Sequence, residues 1–320
     1  MTPISLLIVA ASVAVVLFLD SRDNPWIKRF LNWVPAILFA YLVPAICTHF
    51  FGLELSQEPI HNWSKNLIIP LTLLMVMSAL SFGQLRLIGL RPIAVFVSGS
   101  AAVALLPVLL VFGLHWTMPA VFDVIMTEGY WKGLVPLVGS WIGGSTSQLV
   151  LKEVVDCPEG LFLTILVLDN ILINIWTILM FQAIKRSDQL NAFFRIEDSV
   201  PEYVRDEDFF RKMSMRIVLP TILISIICIL VASWLVEAFI WKVVVFSVLG
   251  LVLGNVLPFW NHGFVLKVGG IAIIVIMAIL GLKLDFSSIS IPTVIVVFAI
   301  VWLILHYVVI MIVARLMKLH

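Results

Sequence analysis

The residues in this chain whose types could do chemistry are gathered in one stretch and the helix after it. The stretch is Gly139-Ser140-Trp141-Ile142-Gly143-Gly144-Ser145-Thr146-Ser147-Gln148. The following apolar segment carries Asp169, Asn170 and Asn174 near its middle. Gly143 and Gly144 let the backbone turn and approach its neighbours closely. A helix broken there leaves N–H and C=O groups unpaired at its tip, where they bind an anion at an N-terminus or a cation at carbonyls. Ser145, Thr146, Ser147 and Gln148 add neutral oxygens of the kind that ligate a hard cation such as Na⁺. The competing role is close helix packing through small residues. Packing requires small residues, but not four consecutive polar ones.

Asn170, Asn174 and Thr177 follow one another at spacings of four and three, so they share a helix face, with Asp169 at its edge. A carboxylate in the middle of an apolar segment marks a cation or proton pathway by default. The alternative is a carboxyl group that stays protonated and hydrogen-bonds a neighbouring helix. No metal is expected beyond Na⁺ at these same residues. The chain has no HExxH, no phosphate-binding glycine loop, no paired CxxC and no evident nucleophile–base pair, so an enzyme is not expected. Weaker candidates are Lys283 with Asp285 at a helix end, His49 and His306 on apolar helices, Asp123 and Glu128 between segments, and Lys152-Glu153, which would anchor the end of the dip.

These residues sit in a chain built for lipid. Of 320 residues, 62% are hydrophobic and 12% charged, against roughly a quarter charged in soluble proteins. The mean hydropathy is +1.14. That much apolar surface cannot be hidden in a water-soluble core, so the composition specifies an all-α integral membrane protein with many crossings. A net charge of +1 offers no basic field for nucleic acid. The three cysteines are far apart and suggest neither a disulfide frame nor a metal site.

Apolar runs fall at about 4–19, 34–52, 66–83, 92–114, 132–154, 160–184, 214–236, 238–258, 264–284 and 290–316. The first has no basic residue before it and reads as a transmembrane helix, not a cleaved signal. Tryptophans 26, 33, 63, 116, 131, 234, 241 and 260 stand at segment ends, as interfacial indoles do. The polar segment 185–213 reads as an aqueous linker between a first repeat, 1–184, and a second, 214–320, with a short helix around 191–197.

If 132–154 dips in and returns to the same side, most Lys and Arg, including those of the linker, lie on the cytoplasmic side. Ten full crossings with the N-terminus inside give a smaller excess of the same sign. Ser78-Ala79-Leu80-Ser81-Phe82 through Pro92 resembles Ala278-Ile279-Leu280-Gly281-Leu282 through Pro292. A re-entrant dip between the two copies makes them inverted in the membrane, the plan of many secondary transporters.

Gly139 through Ser145, Gln148, Lys152-Glu153, Leu168-Asp169-Asn170 and Trp176 together resemble the DUF819 (YjcL-like) family of multi-pass membrane proteins. That family is similar to the bile acid–sodium symporter and cation/proton antiporter assembly of folds. The resemblance implies inverted repeats, each with a broken or re-entrant element near the midplane, and ion-coupled transport. Two departures stand out. Members often carry Asn where this chain has Ser147. A member would also continue past His320 into a second Gly-rich dip.

The resulting expectation is a secondary transporter in the bacterial inner membrane. It moves a small solute coupled to Na⁺ or H⁺ by alternating access around 139–148. Its partners are membrane lipid, a small-molecule or ion substrate and a second copy of the chain. The rival expectation is a non-transporting membrane protein: a receptor, an assembly factor or a truncated remnant.

Overall fold

The structure is a computed structural model, and it describes residues 2–31, 36–83, 90–194, 215–284 and 292–317. The described residues are helical almost throughout, with no strand among them. In chain order the helices are α1 (Pro3–Asp20), α2 (Pro25–Leu31), α3 (Ala36–Phe51), α4 (Ile60–Trp63), α5 (Ile69–Ser78), α6 (Leu90–Thr117), α7 (Pro119–Thr127) and α8 (Trp131–Val154). There follow α9 (Glu159–Lys185), α10 (Ser187–Phe194), α11 (Met215–Leu235), α12 (Phe239–Val256), α13 (His262–Gly281) and α14 (Thr293–Leu316). Seven of these are long and apolar enough to cross a membrane: α1, α6, α8, the apolar part of α9, α12, α13 and α14. Shorter apolar helices lie at Ala36–Phe51 and Val218–Val231. Each of the ten apolar runs is helical over most of its described residues, and the protein is an all-α polytopic membrane protein.

Large apolar side chains stay exposed along these helices, among them Leu7, Phe50, Phe96 and Leu230. A helix apolar on every side faces lipid or a deep core. The helix starts follow local chemistry. Thr2 caps α1, its hydroxyl accepting from Ser5 N at 3.4 Å, with Pro3 supplying the preset first-turn φ. Asn261 caps α13 by accepting from Phe264 N at 2.8 Å.

Two details depart from the expected boundaries. The third apolar run begins at Ile60 instead of 66. It enters through a π-helical turn, Ser64–Ile68, that leads into Pro70. Proline has no N–H to continue the ladder, and the wider turn accommodates this. The linker helix is Ser187–Phe194, and residues 195–214 lie outside the described residues. Trp26, Trp63, Trp116, Trp234 and Trp241 are exposed at helix ends, but Trp260 is buried. Trp33 lies outside the described residues.

The chain divides into two compact units, one from Met1–Phe82 with Asp206–Ile289, the other from Gly83–Arg205 with Ser290–His320. In the first unit α5 packs on α12 and α13, α13 packs on α3, α1 packs on α3 and α13, and α11 packs on α12 and α5. Glycine permits the closest approaches. A methyl added at Gly254 would collide with the Ser78 carbonyl, and one at Gly281 with the Tyr41 carbonyl. Asn255 then closes the end of α5, donating to Leu80 O at 2.9 Å and accepting from Phe82 N at 2.8 Å. In the second unit α6 packs on α14, α7 and α8, and α8 packs on α9. Its core includes Val103, Ile125, Leu137, Ile165, Phe298 and Trp302.

Candidate functional site

The broken helix belongs to the second unit. Within α8, Gly143 has φ −133° and ψ 15°, and Gly144 has φ 68° and ψ −162°. The second pair is a region that only glycine occupies without strain. The two arms, 131–142 and 145–154, then fold back on each other. A methyl added at Gly139 would sit 2.7 Å from Leu151 Cδ1 and 3.1 Å from the Ser147 carbonyl oxygen. In a continuous α-helix the backbone positions 139 and 151 would stand about 18 Å apart. The stretch is a helical hairpin with its tip at the glycine pair. It is closed by Ser147, whose hydroxyl lies where a Gly143 side chain would be.

Asp169, on α9, joins the two arms. Its Oδ2 accepts from Ser140 Oγ at 2.5 Å and from Gln148 Nε2 at 3.2 Å, and its Oδ1 accepts from Trp141 Nε1 at 2.9 Å. Asp169 is 5% exposed and Gln148 3%. Among the described residues no cationic side chain pairs with Asp169, so its carboxylate is held by neutral donors alone. Hydrogen bonds to a buried carboxylate are among the stronger ones, and losing one leaves a costly unmet group.

At the far end of the hairpin, Lys152 Nζ donates to Glu153 Oε1 at 2.9 Å and to Glu159 Oε1 at 2.6 Å. This nearly buried triad ties the second arm to the start of α9. Beside it, the turn between the helices holds Cys157, whose thiol is pushed up to about 12 by burial and is therefore unreactive.

Of the residues singled out from the sequence, Gly143 and Gly144 form the tip, and Gln148 and Asp169 meet directly. Thr146 is buried in the second arm, and Ser145 and Ser147 are half-buried beside the tip. Asn170 and Asn174 take a different part. Asn174 Nδ2 donates to the Asn170 backbone carbonyl at 2.9 Å, so this amide spends a donor on its own helix. Thr177 likewise donates to Ile173 O at 2.8 Å. Asp285 lies outside the described residues.

The sequence reading did not single out Ser140, Trp141 or Trp176 as site residues, and it did not name Trp302. One signal was available. Trp141, Trp176 and Trp302 stand well inside apolar segments, away from the ends where interfacial indoles gather.

An all-α polytopic fold with a carboxylate-braced helical hairpin defines a class of membrane protein with a buried polar centre. Residues 5–320 match the family model DUF819, described as a protein of unknown function, and the chain belongs to that family. No curated protein and no solved structure matches the chain.

Proposed function

We propose that this protein is a secondary transporter that moves a small solute coupled to Na⁺ or H⁺, with the α8 hairpin and Asp169 as its working centre. The observation that carries the reading is the sharing of one Asp169 oxygen between the two arms of a broken helix. A proton or cation arriving at Asp169 competes with Ser140, Trp141 and Gln148 for the same oxygens. Occupancy therefore alters how firmly the arms are held together, which gives a binding event a mechanical outcome. Thr146 and Ser147, close to the tip, offer neutral oxygens to a hard cation.

The helix pairings support the transporter plan. Exchanging α1 with α11, α3 with α12, α5 with α13 and α6 with α14 carries each pairing among these helices onto another of the set or, for α5–α13 and α6–α14, onto itself. The α3–α13 pair becomes α12–α5, α1–α3 becomes α11–α12, and α1–α13 becomes α11–α5. We read this as an internal repeat, inverted in the membrane because the hairpin returns to the side it left. The site of action is the bacterial inner membrane.

The test is thermal unfolding of the purified chain in NaCl against KCl at matched ionic strength, repeated across pH. A ligand that binds only the folded state raises apparent stability by mass action. Saturable stabilisation by Na⁺, or a pH-dependent step, that disappears in Asp169→Asn supports the reading. Identical responses in wild type and Asp169→Asn would remove the coupling site and favour a membrane protein that transports nothing.

A further inference from the structure

The Asp169 carboxylate borders an aromatic cluster at the edge of the second unit's apolar core. Trp141 donates its indole N–H to Asp169, and its ring meets three others, with centroids 5.6 Å from Trp176, 5.6 Å from Trp302 and 6.1 Å from His306. Trp176 in turn lies 5.4 Å from His306 and 6.0 Å from Tyr307. Trp302 and His306 are one helical turn apart on the same face of α14. Trp141, Trp176 and Tyr307 are half-buried, so the cluster has an accessible side.

Two features ask for something the protein does not supply. Among the described residues no cationic side chain pairs with Asp169. Trp302 Nε1 and His306 Nδ1 are buried with no hydrogen-bond partner among the described residues, the side chains being 1% and 5% exposed. An unpaired buried donor is costly, and a purely apolar core would place Leu or Phe at these positions at no such cost. Indole rings beside a carboxylate attract an organic cation through both charge and the ring quadrupole. The Trp302 N–H can only donate, so it requires an oxygen on the ligand.

We propose that Asp169 with Trp141, Trp176, Trp302 and His306 forms the binding site for a small organic ammonium ion that also bears an oxygen acceptor. This rests on the transporter reading and names the class of solute it moves. The ammonium group lies against the carboxylate and the Trp141 and Trp176 rings. The oxygen accepts from Trp302, and His306 supplies a second polar contact.

The probes are choline, tetramethylammonium and NaCl at equal ionic strength, read as thermal stabilisation of the full chain in detergent. Choline is expected to stabilise at lower concentration than tetramethylammonium, because only choline carries the oxygen. Trp302→Phe keeps the ring and removes the N–H. It should weaken choline about five- to tenfold, the worth of one hydrogen bond, and leave tetramethylammonium unchanged. Trp176→Leu, at a half-buried position, and Asp169→Asn should weaken both organic cations. If choline and tetramethylammonium stabilise no more than NaCl, the organic-cation site is refuted. Na⁺-specific stabilisation, or a pH-dependent step lost in Asp169→Asn, in that case leaves ion-coupled transport standing, whereas the absence of both as well removes the two readings together.

Discussion

Ser140 and Gln148 stand eight positions apart on opposite arms of α8, and both donate to the same oxygen of Asp169, at 2.5 and 3.2 Å. In an unbroken helix those positions are about 12 Å apart along the axis. Their convergence is possible only because the chain reverses at Gly143 and Gly144. One buried carboxylate thereby holds a backbone reversal closed.

On the proposed transporter reading, replacing the carboxylate separates coupling from folding. Asp169→Asn keeps the size of the side chain and one acceptor oxygen but removes the charge. It should abolish ²²Na⁺ exchange or proton-coupled flux in proteoliposomes while membrane insertion is unchanged. Undiminished ion-dependent exchange in this variant would take Asp169 out of the mechanism.

The hairpin itself can be tested by cross-linking. In a chain whose native cysteines are serine, Gly139→Cys with Leu151→Cys should form an intramolecular disulfide under mild oxidation. A Cβ at position 139 would lie 2.7 Å from Leu151 Cδ1, so the two positions face each other. A straight helix cannot bring these positions within bonding reach. Failure to form the bridge, read by mobility with and without reductant, would contradict the reversal.

Gly144 is the strictest position in the hairpin. At φ 68° and ψ −162°, any side chain is strained by about 1–3 kcal/mol, so Gly144→Ala should lower the melting temperature measurably. Gly143→Ala should also destabilise, but for another reason: the new methyl collides with the Ser147 hydroxyl. Adding Ser147→Gly should recover much of the Gly143→Ala loss and none of the Gly144→Ala loss. Equal recovery in both would show that the strain is not local.

Lys152 is nearly enclosed between Glu153 and Glu159, with side-chain exposures of 6%, 12% and 15%. Removing the cation takes the shared ammonium group from two carboxylates in a poorly hydrated site. Lys152→Met should cost about 3–5 kcal/mol, as breaking one side of a buried pair does. Adding Glu153→Gln and Glu159→Gln should return most of it. A near-neutral Lys152→Met would mean that water reaches the triad.

The start of α1 carries its own pH dependence. The Thr2 backbone N–H donates to Glu58 Oε2 at 3.0 Å and its hydroxyl to Oε1 at 3.0 Å, and these bonds, the backbone one first, hold the Glu58 carboxyl below its usual value of 4.5. A carboxylate with a lowered folded-state value stabilises above its unfolded value and loses that contribution as pH falls through the lowered one. Amide protection factors in the first turn of α1, corrected for intrinsic exchange, should therefore fall as pH drops below about 4.5. Glu58→Gln should remove the pH step. A step that persists in Glu58→Gln would assign it to another group.

The composition and the ten apolar runs determined that this protein lives in lipid and where its helices lie, because each run satisfies its own backbone locally and needs no distant partner. The pair Gly143-Gly144 marked the break for the same local reason, and Asp169 stood out because a carboxylate is costly anywhere in an apolar segment. What lay beyond the sequence was pairing. Asn170 and Asn174 have a suitable spacing for a shared face, yet Asn174 turns to its own helix. Ser140 and Trp141 became partners of Asp169 only through the reversal of α8. Trp302 and His306 joined them from more than 130 positions away in the chain. Helical periodicity fixes which residues share a face, but the neighbour that face meets is chosen by packing between helices distant in sequence, and that choice is made only in the folded chain.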